Sequence, residues 1–522
     1  MCKREIKKKV LTEIRWQLAT VRQLSLSCKN PCPVLISFLR MNVFVAILVS
    51  SAVLIALVHA APAGDLVTEL PGLSWKPNFK QYSGYLKGVG TKRLHYWFVE
   101  SSSNPKTDPV VLWMNGGPGC SSLHGFLTEH GPFRIQPDGK TLQPFPFAWN
   151  QVANMIYLEA PAGVGFSYSD DGNYTTDDDD VARNNHLALQ DFFGKFPEYS
   201  ENDFFISGES YGGIYVPTLA SVVLDDPSIN LKGFVVGNGL SDNTMNDNSI
   251  VYFAYYHGLL GDEEWLDILN ACCAGNTTVY GCDFVAGSGR SQKCATALNK
   301  VQVLVWSSGL NVYNLYANCA GGAKDHVLHY DSSRGKYVTS HFGWPFVFLT
   351  NELSQRINRL KNIPIKRLIS TPPCTNDTSA INYLNSDPVK KALHISDKAE
   401  AWDICSTVVG NNYVRIYSTM AAQYQKAISR KLRILVYNGD VDMACNFLGD
   451  EWFVDSLDIE NPQKRRKWYY KAEDGTTQVA GFVKAFNRVT FVTIRGAGHM
   501  VPTDKPRPAL DMFVNYIQNK PF

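Results

Sequence analysis

Charge of one sign is what this 522-residue chain most plainly lacks: 50 lysines and arginines stand against 48 aspartates and glutamates, a formal net charge of +2. A balance so close to neutral argues against a nucleic-acid partner and against a general membrane-surface partner. No internal repeat and no low-complexity tract occurs, so neither a repeat array nor a biased tail organises the chain. The cysteines Cys272, Cys273, Cys282 and Cys294 lack the paired C-x-x-C spacing of zinc sites, and disulfides are the better reading. The one clear charge run, Asp177 to Asp180, carries no ordered ligand spacing and reads as a solvated loop. No metal and no cofactor is expected. The uncharged stretch Val43 to Val58 is only a little shorter than the roughly 20 residues a spanning helix needs, which makes a membrane anchor the rival reading. The cleavage site Val58-His59-Ala60 favours removal, so no stable membrane anchor is expected.

What is present at the N-terminus points to export. Residues 1–40 form a basic extension (Lys3, Arg4, Lys7, Lys8, Lys9), read as an alternative start or an extension absent from the mature product. Residues 41–60 follow as Arg40-flanked Met41, the apolar segment and Val58-His59-Ala60, the order of a signal peptide cleaved after Ala60. Nine cysteines lie beyond that point, an odd number that leaves at least one unpaired in a monomer. Sequons at Asn173, Asn276 and Asn376 fit the same compartment and are expected to be glycosylated. The predicted address is the secretory pathway, lysosomal or secreted.

The stretch Phe204 to Tyr215 organises the rest. A short apolar run enters Gly208-Glu209-Ser210-Tyr211-Gly212, and an apolar segment of helical spacing follows (Ile214, Val216, Leu219, Val222, Val223). Strand, Gly-x-Ser-x-Gly and helix in that order describe a nucleophile elbow, where small residues let strand and helix backbones approach closely.

Other apolar runs also end in glycine-rich loops. Tyr82 to Leu86 and Leu94 to Val99 alternate like early antiparallel strands. Val110 to Met114 feeds Asn115-Gly116-Gly117-Pro118-Gly119-Cys120, a loop whose bare N–H groups suit one half of an oxyanion hole. Asn154 to Leu158 and Gly233 to Gly239 repeat the pattern, which indicates a mostly parallel sheet with helices between. Leu432 to Tyr437 then runs into Asp440-Val441-Asp442, and Val489 to Ile494 into Gly498-His499. The order Ser, Asp, His is that of α/β-hydrolases, and local sequence leaves Asp440 and Asp442 both open. The predicted fold is α/β, an α/β-hydrolase with a mostly parallel central sheet. Residues 61–243 and 372–522 form the catalytic domain, and 244–371, weaker in periodicity and rich in cysteine, form an inserted cap.

These motifs resemble the serine carboxypeptidases. Trp113 to Ser122, Thr128-Glu129-His130-Gly131-Pro132, Gly208 to Gly213, Asn438 to Asn446 and Gly496 to Pro502 carry the resemblance, which runs from Leu70 to Phe522. Gly212-Gly213 departs from the Ala-Gly frequent in the family, without consequence expected for the elbow. The resemblance implies Ser210 as nucleophile, His499 as base and then acid, and Asp442 rather than Asp440 as its orienting residue. It implies oxyanion donors at the backbone of Gly117 and Tyr211. It pairs Glu129 with Glu209, beside Asn115 and Gly116, to hold a substrate's free C-terminal carboxylate. Two close carboxyl groups cannot both ionise cheaply, so one keeps its proton and donates.

It further implies disulfides Cys120–Cys405, Cys272–Cys294, Cys273–Cys282 and Cys319–Cys374, a free Cys445, and processing in the basic loop Ser340 to Ser370. The predicted function is acidic removal of C-terminal residues from peptides with a free C-terminus through an acyl-enzyme. An acyltransferase or esterase on the same site is the alternative, as is a protective partner of lysosomal glycosidases; a homodimer also stays open.

Overall fold

The apolar runs that end in glycine become the strands of one sheet, and the loops after them gather at its C-terminal edge. In the computed structural model the described residues are 61–273, 282–307, 309–322, 329–331, 336–338, 374–460 and 462–522. The basic extension, the signal segment, Asn276 and the loop Ser340 to Ser370 lie outside them. Two units divide the chain. Met1–Ala63 with Gly194–Glu198 is the first, of which only 61–63 and 194–198 are described. Gly64–Phe193 with Tyr199–Phe522 is the second, and it holds the sheet.

Ten strands lie side by side: β1 (Gln81–Lys87), β2 (Lys92–Val99), β3 (Val110–Met114), β4 (Asn154–Leu158), β5 (Phe204–Ser210), β6 (Leu231–Gly239), β7 (Arg433–Gly439), β8 (Arg466–Lys471), β9 (Thr477–Ala485) and β10 (Val489–Ile494). Their order is β1-β2-β4-β3-β5-β6-β7-β10-β9-β8, with the two-residue strand Tyr168–Ser169 pairing to β2. The six central strands, β4 to β10 in that order, are mutually parallel. β1, β2 and β4 pair antiparallel at one end, and β8, β9 and β10 at the other. Central strands are buried on both faces and so read as continuous apolar runs: every residue of β3 and of β4 is buried.

The β8–β9 hairpin was invisible in the sequence for the same reason inverted. Its outer strand β8 is an edge, mostly polar and exposed, with Trp468 its one buried residue, while β9 buries only Ala480, Gly481 and Val483. Charged residues suit an edge strand because they discourage pairing with another chain.

Between residues 244 and 371 the described chain is largely helical: Asn243–Tyr256, Asp262–Cys272, Phe284–Arg290 and Gln292–Ser307. Their apolar faces (Tyr252, Phe253, Ile268, Phe284, Leu298) share one core with Val441, Met443 and Ala444, the loop that follows β7. This helical region is thus packed directly on the loop that carries Asp442. Among the described residues no helix is long and apolar enough to cross a membrane.

Candidate active site

The elbow forms because its neighbours leave no room for larger side chains. A Cβ on Gly208 would stand 2.5 Å from the carbonyl oxygen of Met114, and one on Gly213 would collide with the backbone of Leu240. At Gly212 the nearest atom, Met114 O, is 3.3 Å away, so the departure from Ala-Gly is a position where either residue fits. Between β5 and the helix Gly212–Val223, Ser210 takes φ of 62°. A non-glycine residue held left-handed is strained, and such strain persists only where the surroundings impose it. Here Leu240 N–H donates to Ser210 O at 2.9 Å.

Asp442 and His499 meet as the resemblance implied. His499 Nδ1 lies 2.7 Å from Asp442 Oδ2. Asp442 has no solvent exposure, and it accepts from Asn238 Nδ2 (2.9 Å), Ala444 N (2.9 Å) and Cys445 N (3.2 Å). Four donors around one buried carboxylate satisfy its lone pairs and fix its plane. Asp440 instead accepts from Gly496 N at 2.6 Å, where it braces the turn before His499. Tyr313, beyond the helix Gln292–Ser307, ties the two loops together. Its carbonyl accepts from His499 N, Val312 O accepts from Met443 N, and Leu315 N donates to Val441 O. The Tyr313 ring lies 4.7 Å from that of His499. Neither Asn238 nor Tyr313 had a legible role in the sequence, since both act through pairings across more than 180 residues.

The loop after β3 supplies the second half. Trp113 Nε1, a donor only, points 2.8 Å from Asn115 Oδ1, and Gly125 N donates to the same oxygen at 3.2 Å. This fixes the amide's orientation. The Nδ2 group therefore faces two carboxylates, Glu129 Oε1 at 3.1 Å and Glu209 Oε1 at 2.7 Å. Both glutamates are buried, and neither Oε2 receives a protein hydrogen bond. Burial, then the charge and hydrogen bond of Glu129, pushes Glu209 well above the usual carboxylate range, against the opposing pull of Asn115. His124 stands behind the pair, 3.9 Å from Glu129 Oε1, with Nε2 3.1 Å from Asp377 Oδ1. Burial disfavours the imidazolium, but Asp377 and then Glu129 raise the His124 pKa overall. His124 and Asp377, 253 residues apart, carried no signal in sequence.

Asn115, Gly116, Gly117, Glu209, Ser210 and His499 line one cavity of about 50 Å³, with His124, Tyr313, Thr375, Ile404 and Met500 on its other walls. Gly117 has φ of 112°, and a Cβ on Gly116 would collide with the Tyr211 backbone nitrogen. Gly116 and Tyr211 are thus in backbone contact across the elbow. The four disulfides expected from the resemblance are present, and Cys445 is free and buried. Cys120–Cys405 clamps the glycine loop, with Ser121 N donating to Ile404 O and Ser406 N to Gly119 O. Burial, with Asp442 next in weight, raises the Cys445 thiol well above its usual range. Asn173 and Asn376 are exposed. The charge run differs from its sequence reading: Asp178–Asp180 opens a helix, and Asp178 is fully buried.

A serine on a strand-to-helix elbow, sharing a cavity with a histidine held by a buried aspartate, is the arrangement of a serine hydrolase on an α/β-hydrolase sheet. The profile of the serine carboxypeptidase family matches residues 71–519, and the chain belongs to that family. It is 52% identical to the lysosomal protective protein of Mus musculus over 465 residues, 89% of this chain and 96% of that one. It is 40% identical to serine carboxypeptidase ctsa-4.1 of Caenorhabditis elegans over 474 residues, 89% and 95% of the two chains. In fold it resembles the crystal structure of Kex1, a prohormone-processing carboxypeptidase from Saccharomyces cerevisiae. That likeness has a TM-score of 0.64 at 22% identity, over 88% of this chain and 97% of the other.

Proposed function

We propose that this serine carboxypeptidase removes C-terminal residues from peptides at acidic pH, with Ser210, His499 and Asp442 as its triad. Ser210 Oγ attacks the last peptide carbonyl while His499 takes the hydroxyl proton, and Asp442 holds the imidazole in the productive tautomer. The oxyanion is received by the N–H groups of Gly117 and Tyr211. When the C–N bond breaks, His499 returns the proton to the leaving amine. Water then enters, again losing a proton to His499, and hydrolysis of the ester releases the shortened peptide.

The observation that carries the reading is the buried pair Glu129–Glu209 bridged by Asn115 beside the elbow. A generic esterase has no use for it. One proton shared by two carboxyls gives a donor toward a substrate carboxylate, and Asn115 and the Gly116 backbone complete the recognition. The helices between 243 and 307 act as a cap over this face, and the mouse relative's name favours a lysosomal address reached through the secretory pathway. The test is release of the terminal amino acid from N-blocked dipeptides with free and with amidated C-termini, Ser210→Ala serving as control. Preference for the free acid supports the reading, and equal turnover of both ends it.

The family resemblance raises a second role, a stabilising partner of lysosomal glycosidases, and the same relative's name, a protective protein, is in keeping with a protective role. Co-purification of glycosidases with Ser210→Ala protein tests that role apart from catalysis.

A further inference from the structure

The acidic run that looked like a solvated loop holds a carboxylate with no solvent exposure, Asp178. Four donors meet it. Oδ1 accepts from Tyr211 OH at 2.8 Å and from Tyr413 OH at 2.7 Å. Oδ2 accepts from the backbone N–H groups of Ile416 (2.7 Å) and Tyr417 (3.2 Å). Burial and the charge of Asp178 both raise the Tyr211 phenol, so it stays a donor at any working pH.

Tyr211 is the residue after the nucleophile. Its ring is enclosed on several sides: Tyr215 and Tyr413 edge-on at 5.2 and 5.7 Å, and the Arg415 guanidinium 4.9 Å from its centroid. Tyr215 OH in turn accepts from Gly119 N at 3.3 Å, on the glycine loop that includes Gly117. One buried carboxylate and three phenol rings therefore join the two backbone segments that flank Ser210. Strain at Ser210 gives this a purpose. A left-handed serine relaxes by rotating toward an ordinary conformation, and that rotation would turn the following peptide, whose N–H belongs to Tyr211. The Ser210 carbonyl is held by Leu240, and the Tyr211 side chain is held by Asp178.

We infer that Asp178 is a positioning residue of the oxyanion hole: through the Tyr211 hydroxyl it fixes the direction of the N–H that receives the developing charge. The inference rests on the carboxypeptidase reading above. It differs from a plain helix-start role, in which Asp178 would merely stabilise the first turn and anchor the 416–417 backbone.

Tyr211→Phe separates the two, because it removes one hydroxyl while leaving the ring, the helix and the other three bonds to Asp178 intact. Losing an oxyanion donor outright costs ~10²–10³ in kcat, and loosening one is expected to cost about tenfold. The expected result is that kcat for a blocked dipeptide falls by that factor while KM holds, with only the modest drop in the midpoint of thermal unfolding that follows when a buried carboxylate loses one of four donors. Affinity for a peptide aldehyde, whose hemiacetal oxygen occupies the oxyanion position, falls by the same factor. Affinity for the released amino acid, which places no group in the oxyanion hole, stays unchanged.

Unchanged kcat and aldehyde affinity in Tyr211→Phe overturn the inference. So does a loss shared equally by product binding, aldehyde binding and thermal stability. A wild-type protein that does not prefer free-acid peptides would instead sink the carboxypeptidase reading.

Discussion

Asp442 Oδ2 sits 2.7 Å from His499 Nδ1, with three further donors holding the carboxylate in place. An amide in its place could not accept from all of them. Asp442→Asn removes the charge that stabilises the imidazolium formed when His499 takes the serine proton, and whichever way the amide turns, its NH₂ faces a donor that the carboxylate had satisfied. The expected loss in kcat is about 10⁴-fold with little change in KM. Steady-state kinetics on a blocked dipeptide checks this; a loss under about tenfold would remove Asp442 from the triad.

The adjacent glycines of the elbow should respond oppositely to the same methyl group. Gly212→Ala adds a Cβ 3.3 Å from one carbonyl oxygen, a gap that a shift of a few tenths of an ångström opens. It is expected to leave activity within about twofold and stability within about 0.5 kcal/mol, as tolerated changes do. Gly213→Ala drives a Cβ into the Leu240 backbone, which cannot move without displacing the Ser210 carbonyl it anchors. Overpacking of this kind costs roughly 1–3 kcal/mol or more, and activity should fall with it. Thermal unfolding and kcat of the two variants make the comparison.

Stability should favour acid through Asp450. This carboxyl is buried, and desolvation outweighs its hydrogen bonds from Ser241, Asn438 and Gly239, raising it from 3.8 to about 6. The folded state thus binds the proton more tightly than the unfolded state. The resulting stability is full below about pH 3.8 and is lost as pH rises through about 6, a swing of about 3 kcal/mol. An asparagine side chain here can accept from Gly239 and Asn438 and donate to Ser241. Wild type should therefore lose more in Tm between about pH 4 and about pH 7 than Asp450→Asn does. Parallel pH profiles of Tm in the two proteins would contradict this.

Much of this was legible in the sequence, for a physical reason. Parallel strands buried on both faces must be continuous apolar runs, and the chain must leave them through glycine where backbones meet. Val110–Met114, Asn154–Leu158 and Val489–Ile494 could be bounded to the residue. Ser210 and His499 followed because each lies at or one loop beyond the end of such a strand, whereas strand position left Asp440 and Asp442 both open and only the family resemblance chose Asp442. What stayed hidden was set by partners distant in sequence. Asp178 looked solvated because three more aspartates surround it, and only the packing of Tyr211 and Tyr413 buries it. His124 and Asp377 meet across the molecule. The edge strand β8, exposed and basic, lacks the apolar pattern by which strands are recognised, and in β9 the buried residues Ala480, Gly481 and Val483 do not alternate cleanly.

The most direct test of carboxylate recognition is the pH dependence of KM for one blocked dipeptide and for its C-terminal amide, in wild type and in Glu209→Gln. Glu209 is raised by burial and by Glu129, so at acidic pH the pair holds a proton it can donate to the substrate carboxylate. As pH rises through the apparent pKa of the pair, that proton is lost and two like charges face the ligand. KM for the free acid is therefore predicted to climb with pH, KM for the amide not to follow it, and Glu209→Gln, a donor at every pH, to flatten the rise. An identical pH dependence of KM for the peptide and its amide would contradict it.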